Sequence, residues 1–133
     1  MKGINVEINN LTRVRIDNRF FEKTVTKLAK LLKIKLPEIS LVFLNDKEMK
    51  NLNRKYRKRN RLTDVLSFDY GEILICLPQA KRQAKLLNHS LKDELVILLI
   101  HGILHLVGYN DETKKDYNKM SKKQKALWQK ITS

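Results

Sequence analysis

The segment from Ser90 to Gly108 constrains the fold more than any other part of the chain. Ser90 and Asp93 form a predicted capping pair, and Gly108 is a residue type that ends helices, so the sequence predicts a helix from Leu91 to about Val107. This segment is apolar nearly all round, which is typical of a helix that is buried on every side. We therefore expect it to lie at the centre of the molecule.

Two histidines interrupt this apolar segment. His101 and His105 are four positions apart, so their side chains are expected on the same face of the helix. Gly108 lets the chain turn back after the helix, which can bring Asp111 towards both imidazoles. Two nitrogens and one carboxylate oxygen leave a coordination position open, as in catalytic metal sites. The spacing therefore predicts a centre for one divalent metal ion.

The alternative is a pair of core histidines hydrogen-bonded to the backbone, with Asp111 as the cap of the last helix. An unpaired buried polar group costs roughly 1–3 kcal/mol, and one shared ion would satisfy both rings. A peptidase of the zincin type is not predicted, because Gly102 stands where those enzymes have their glutamate base. Gly102 either opens space beside the metal or allows close helix packing.

The remaining hydrophobic patterns predict the other elements of the fold. The predicted strands cover about 4–8, 38–44, 65–68 and 72–77, the last two as a hairpin. The other predicted helices cover about 18–33, 47–57, 79–87 and 112–130. This order favours the α+β class, with a single mixed sheet of about four strands packed against about five helices. We expect one domain over residues 1–133.

Charge and composition indicate which classes of binding partner the chain favours. Lys and Arg total 28 against 14 Asp and Glu, a formal net charge of +14. This favours a polyanion, nucleic acid before an anionic membrane, although abundant solvated lysines are the alternative. The single Cys76 excludes an internal disulfide and is expected in the core. The chain has no signal-peptide pattern and no apolar run long enough for a bilayer, so we expect a cytoplasmic protein.

Two further segments are candidates for substrate contacts. The densest cationic run, Lys55–Arg61, contains Arg57 and Arg59, whose guanidinium groups match phosphate oxygens. A solvated charged loop is the alternative for this run. Asp64 and Ser67 flank a short apolar strand, where a loop cap and a strand hydroxyl are the alternative roles.

Three motifs in the same order resemble the YbeY family of bacterial metal-dependent endoribonucleases. The His-Gly-x-Leu-His-Leu-x-Gly-Tyr stretch at 101–109 resembles the family signature. Leu52-Asn53, Tyr56-Arg57 and the stretch 63–68 resemble its second motif, and 71–76 resembles its Gly-Asp-Ile-x-Ile-Cys strand. Together these motifs span nearly half of the chain.

The resemblance implies an α+β fold and hydrolysis of single-stranded RNA. It implies a role in maturation of the 3′ end of 16S ribosomal RNA and in ribosome quality control. The expected partner is the small ribosomal subunit, and binding to DNA or to a membrane is not expected. The resemblance also implies Zn²⁺ as the ion, His101 and His105 as ligands and Arg57 as the catalytic arginine. Arg59, Asp64 and Ser67 are then expected to bind substrate with Arg57.

The chain departs from the family pattern at the third ligand. The family motif ends Gly-Tyr-Asp-His, whereas this chain has Asn110-Asp111, so Asp111 takes the place of a histidine. A carboxylate is harder than imidazole and adds negative charge, which is expected to weaken zinc selectivity. This departure motivates the alternative of a non-catalytic ribosome- or RNA-binding assembly factor with a structural or vestigial metal. Leu62 also replaces a family proline, which predicts a different cleft wall.

Overall fold

The structure is a computed structural model that describes residues 4–56 and 64–133. Within these ranges the chain forms four strands and five helices. The strands are β1 (Asn5–Asn10), β2 (Glu38–Leu44), β3 (Val65–Phe68) and β4 (Glu72–Cys76). The helices are α1 (Asn18–Leu31), α2 (Asp46–Tyr56), α3 (Leu77–Leu86), α4 (Leu91–Leu106) and α5 (Lys114–Thr132). The predicted α+β class is confirmed.

The strands form one mixed sheet in the order β1-β2-β4-β3. β1, β2 and β4 are parallel, and β3 pairs antiparallel with β4 as the predicted hairpin. Gly71 in the hairpin turn has φ +111°, a left-handed conformation that favours glycine. A Cβ atom on Gly71 would lie 2.5 Å from the carbonyl oxygen of Glu38, so this position has no room for a side chain.

The sheet separates two apolar layers, because alternate residues of a strand point to opposite faces. Ile39, Leu41, Phe43, Ile73 and Ile75 of β2 and β4 join the larger core, which includes buried residues of α1 and α4. Val42, Leu44, Leu74 and Cys76 face the other layer, together with Met49 of α2. The sheet is therefore covered on both faces.

Cys76 is buried, as predicted, and lies beside an ion pair that joins α2 to α3. Its Sγ lies 3.2 Å from the Asp46 carboxylate, and Arg82 donates two hydrogen bonds to the same carboxylate at 2.8 and 3.1 Å. The hydrogen bonding from Arg82 lowers the pKa of Asp46, and burial raises the pKa of the Cys76 thiol to about 11. The thiol is therefore protonated at neutral pH and serves as a core residue.

α4 is the central buried helix that the sequence predicts. It contacts α1, α3, α5, β3 and β4, and most of its residues are buried. The Ser90 hydroxyl accepts from the Asp93 amide at 3.0 Å, which confirms the predicted cap. Glu94 is a buried carboxylate on this helix, and His89, with its Nε2 2.6 Å away, is its partner. Within the described ranges, no helix has the length and apolar character needed to cross a bilayer.

Candidate metal centre

The two predicted histidine ligands lie on the last turns of α4, at the end opposite the Ser90 cap. The Nε2 atoms of His101 and His105 are 3.1 Å apart, and the ring centroids are 4.7 Å apart. Both side chains are half-buried. The four-residue spacing therefore places both Nε2 atoms at one point of the surface, as predicted.

The connection between α4 and α5 brings Asp111 to the same point. α4 ends at Leu106, and Gly108 has φ +100°, so the chain reverses there. One ligand atom from each of His101, His105 and Asp111 lies within 4.8 Å of the other two. The cap of α5 is Thr113, whose hydroxyl accepts from the Asp116 amide at 3.0 Å. The alternative role of Asp111 as the helix cap is therefore wrong.

The donor set fits a divalent ion. Two imidazole nitrogens bound to one Zn²⁺ at 2.0–2.1 Å in tetrahedral geometry lie about 3.3 Å apart. The 3.1 Å between the two Nε2 atoms is close to this separation. Imidazole nitrogen and carboxylate oxygen are both common zinc ligands. His101, His105 and Asp111 can therefore hold a metal ion.

Gln124 of α5 is a residue of this site that the sequence analysis missed. Its Oε1 lies 3.2 Å from Nδ1 of His101. Gln124 follows Met120 by four positions and precedes Leu127 by three, and both of these residues are buried. The sequence does place a polar residue on the buried side of a lysine-rich helix. Because such a side chain needs a hydrogen-bond partner, this pattern could have identified Gln124.

Gly102 allows close packing of α4 on the sheet. A Cβ atom there would lie 2.9 Å from Cγ2 of Ile73, 3.1 Å from Oγ of Ser67 and 3.3 Å from Cγ2 of Val65. The Ser67 hydroxyl also donates to the Gly102 carbonyl at 2.7 Å. Of the two roles considered for Gly102, close helix packing is therefore the one its surroundings show. The contact holds the backbone beside His101 against β3.

The other predicted site residues are placed differently. Asp64 lies directly before β3, where its carbonyl accepts from the Cys76 amide at 2.9 Å, and it is not part of the three-residue cluster. Arg57 and Arg59 lie outside the described residues. The substrate-binding roles of Asp64, Ser67 and Arg59, and the catalytic role of Arg57, stay predictions.

A cavity of about 250 Å³ opens next to the connection that carries Asp111. Its lining comes from Val107, Gly108, Tyr109 and Asn110, and from Asp116 and Lys119 of α5. The lining therefore combines backbone, an amide and both signs of charge. Such a space can accept a polar ligand next to the α4–α5 connection.

Comparisons with known proteins agree with this architecture. The sequence profile described as Endoribonuclease YbeY matches residues 6–132. A protein of Syntrophus aciditrophicus named Endoribonuclease YbeY is 36% identical, with 90% of this chain and 84% of that protein covered. One of Phytoplasma australiense with the same name is 34% identical, with 95% and 94% covered. The solution structure of a Thermotoga maritima protein matches with a TM-score of 0.67 and 29% identity, covering 95% of this chain and 88% of that one. The chain belongs to the YbeY endoribonuclease family.

Proposed function

We propose that this protein is a metal-dependent endoribonuclease that hydrolyses phosphodiester bonds of single-stranded RNA. The observation that carries the proposal is the convergence of His101, His105 and Asp111 at the end of α4. Three protein ligands leave a coordination position open, as catalytic sites require. The relatives named as endoribonucleases support RNA as the substrate.

The charge of the surface supports a polyanionic substrate. α1 and α5 lie side by side, with the Lys27 ammonium donating to the Lys130 carbonyl at 3.2 Å. The exposed cations of these two helices are Arg19, Lys23, Lys27, Lys30, Lys114, Lys115, Lys119, Lys122, Lys125 and Lys130. Lysine and arginine side chains bind the phosphate groups of a nucleic acid without distinguishing its bases. We therefore expect the affinity for RNA to fall as the salt concentration rises.

In the proposed chemistry, the metal ion and the protein side chains have different roles. A divalent ion held by the three ligands would supply Lewis acidity towards a phosphate oxygen and make a water molecule more acidic. Arg57 would stabilise the negative charge that develops on the phosphoryl group. Arg59 would bind a neighbouring phosphate. The Ser67 hydroxyl donates to Gly102, but its oxygen keeps an acceptor site, which suits a ribose hydroxyl. Asp64, directly before β3, would be a further substrate contact.

The cellular role follows from the same proposal. We propose Zn²⁺ as the ion, maturation of the 16S rRNA 3′ end and ribosome quality control as the processes, and the small ribosomal subunit as the partner in the cytoplasm. The family membership and the basic surface support an RNA target of this kind. The ligand set supports the metal.

The direct test is cleavage of a labelled single-stranded RNA by protein loaded with Zn²⁺. We expect cleavage of the single strand, little cleavage of the same RNA as a duplex or of the matching DNA, and no cleavage after chelation. RNA that is bound but left intact, with binding that survives chelation, would contradict hydrolysis and select the assembly-factor alternative.

Asp111→His is expected to strengthen Zn²⁺ binding by about tenfold, because imidazole is a softer ligand than carboxylate. We expect the RNA cleavage rate at limiting zinc to rise with the occupancy. The measurement is a competition titration with a chromophoric chelator, and Asp93→His is the matched control, since Asp93 lies in the first turn of α4, at the end opposite the candidate metal centre. Equal zinc affinity in wild type and Asp111→His would contradict the argument that the carboxylate is the weaker ligand.

A further inference from the structure

We propose that Gln124 is a positioning residue that fixes the ring orientation and tautomer of His101 for metal binding. This inference rests on the metal centre of the proposed function and names a part of it that lies on a different helix. The Gln124 amide approaches His101 on the side of the ring opposite to His105. Its Oε1 is 3.2 Å from Nδ1 of His101, whereas Nε2 of His101 is 3.1 Å from Nε2 of His105.

The hydrogen-bonding capacity of the two groups decides which nitrogen carries the proton. An amide oxygen is only an acceptor, so Nδ1 of His101 must be the donor in this contact. A neutral imidazole carries a single proton, and its other nitrogen then has a free lone pair. With the proton on Nδ1, the lone pair is on Nε2, the atom that faces His105. Gln124 therefore favours the tautomer of His101 whose Nε2 can bind a metal at the point where His105 also lies.

The packing of α5 keeps Gln124 within reach of His101. Met120 and Leu127 lie on the same stripe of α5, and both are buried, with 2% and 3% of their surface exposed. α5 packs directly on α4, which carries His101. Because its neighbours on the stripe are anchored in the core, the backbone of α5 is held where the Gln124 side chain can reach His101. The contact joins residues 23 positions apart and ties the metal centre to a second helix.

Partners that orient a metal-binding histidine typically change metal affinity by 10–100-fold when they are removed. Gln124→Met keeps the length and packing of the side chain but removes the acceptor. We expect it to weaken binding of Co²⁺, used as a spectroscopic probe, by about 10–100-fold. Gln124→Glu keeps an acceptor towards Nδ1, so we expect binding near that of wild type.

The experiment is a Co²⁺ titration of the metal-free protein followed by visible absorption, with wild type and both Gln124 variants. Gln129→Met is the matched control, because Gln129 is an exposed glutamine on the same helix. Nitrogen-15 NMR of the histidine rings supplies a readout that packing alone would not move. In the metal-free wild type we expect His101 to be protonated on Nδ1, and in Gln124→Met we expect this preference to be lost. Helical circular dichroism shows that each variant folds.

The outcomes separate this inference from the proposed function. Unchanged Co²⁺ affinity in Gln124→Met, or an equal loss in Gln124→Met and Gln124→Glu, would overturn the positioning role. A wild-type protein that binds no Co²⁺ would overturn it together with the metal centre. If Co²⁺ affinity depends on Gln124 as expected but single-stranded RNA is not cleaved, the positioning role stands and RNA hydrolysis by this protein is wrong.

Discussion

His105→Ala is expected to lower the rate of RNA cleavage at least about 10³-fold and to remove tight zinc binding. The variant deletes one of the two imidazoles whose Nε2 atoms lie 3.1 Å apart, and leaves His101 and Asp111 as the remaining proposed ligands. A catalytic ion contributes several kcal/mol to transition-state stabilisation, and each 1.36 kcal/mol corresponds to a tenfold change in rate. The measurements are single-turnover cleavage of a labelled RNA strand and the zinc content of the purified protein.

His89→Gln is the matched control for this prediction. His89 is the one histidine of the chain outside the candidate metal centre. It lies at the other end of α4, where its partner is Glu94. Glutamine can still donate a hydrogen bond to that carboxylate, so we expect zinc content and cleavage rate close to those of wild type. Cleavage by His105→Ala at the wild-type rate would contradict hydrolysis at this metal centre and would point to a contaminating nuclease.

Gly102→Val is expected to lower the free energy of unfolding by about 3 kcal/mol or more. The first added carbon already lies 2.9 Å from the Ile73 methyl group, and the two further methyl groups must enter the same space between α4 and the sheet. Overpacking of a core typically costs 1–3 kcal/mol, and Val adds more volume than one methyl group. The stiff branched Ile73 and the strand backbone beneath it have little freedom to move away. Urea unfolding followed by circular dichroism measures the effect.

Gly102→Ala tests whether adding a single methyl group at this position stabilises or destabilises the protein. In an open helix interior, glycine is roughly 1 kcal/mol less favourable than alanine, so the exchange alone would stabilise α4. We expect the contacts with Ile73 and Ser67 to cancel this gain and to leave Gly102→Ala no more stable than wild type. If either variant were clearly more stable than wild type, the close approach of α4 to the sheet would be wrong.

The local patterns of the sequence predict most of the fold. Alternation in β2 and β4 and the cap at Ser90 depend on neighbouring residues, so they can be read without the tertiary structure. The boundaries are less well predicted. α3 begins at Leu77, two residues earlier than expected, because Pro78 is compatible with the first turn of a helix.

In the candidate site, too, residues placed by the local sequence are predicted, and residues placed by tertiary packing are not. His101, His105 and Asp111 are predicted from spacing, because a helix period and one glycine turn determine where they lie. Gln124 is not, because its contact with His101 depends on how α5 packs on α4. The role of Gly102 also needed the structure, since the sequence does not show which strand passes beneath α4.

The proximity of the three proposed ligands along the chain has a consequence for folding. They lie within the single stretch 101–111, so bringing them together requires the closure of only short loops. The entropy cost of such closure is small, and an unfolded chain can therefore still capture the ion to some degree. Binding to the denatured ensemble reduces the stabilisation that a ligand gives to the native state. The melting temperature should thus respond less to zinc than in proteins whose ligands come from distant segments.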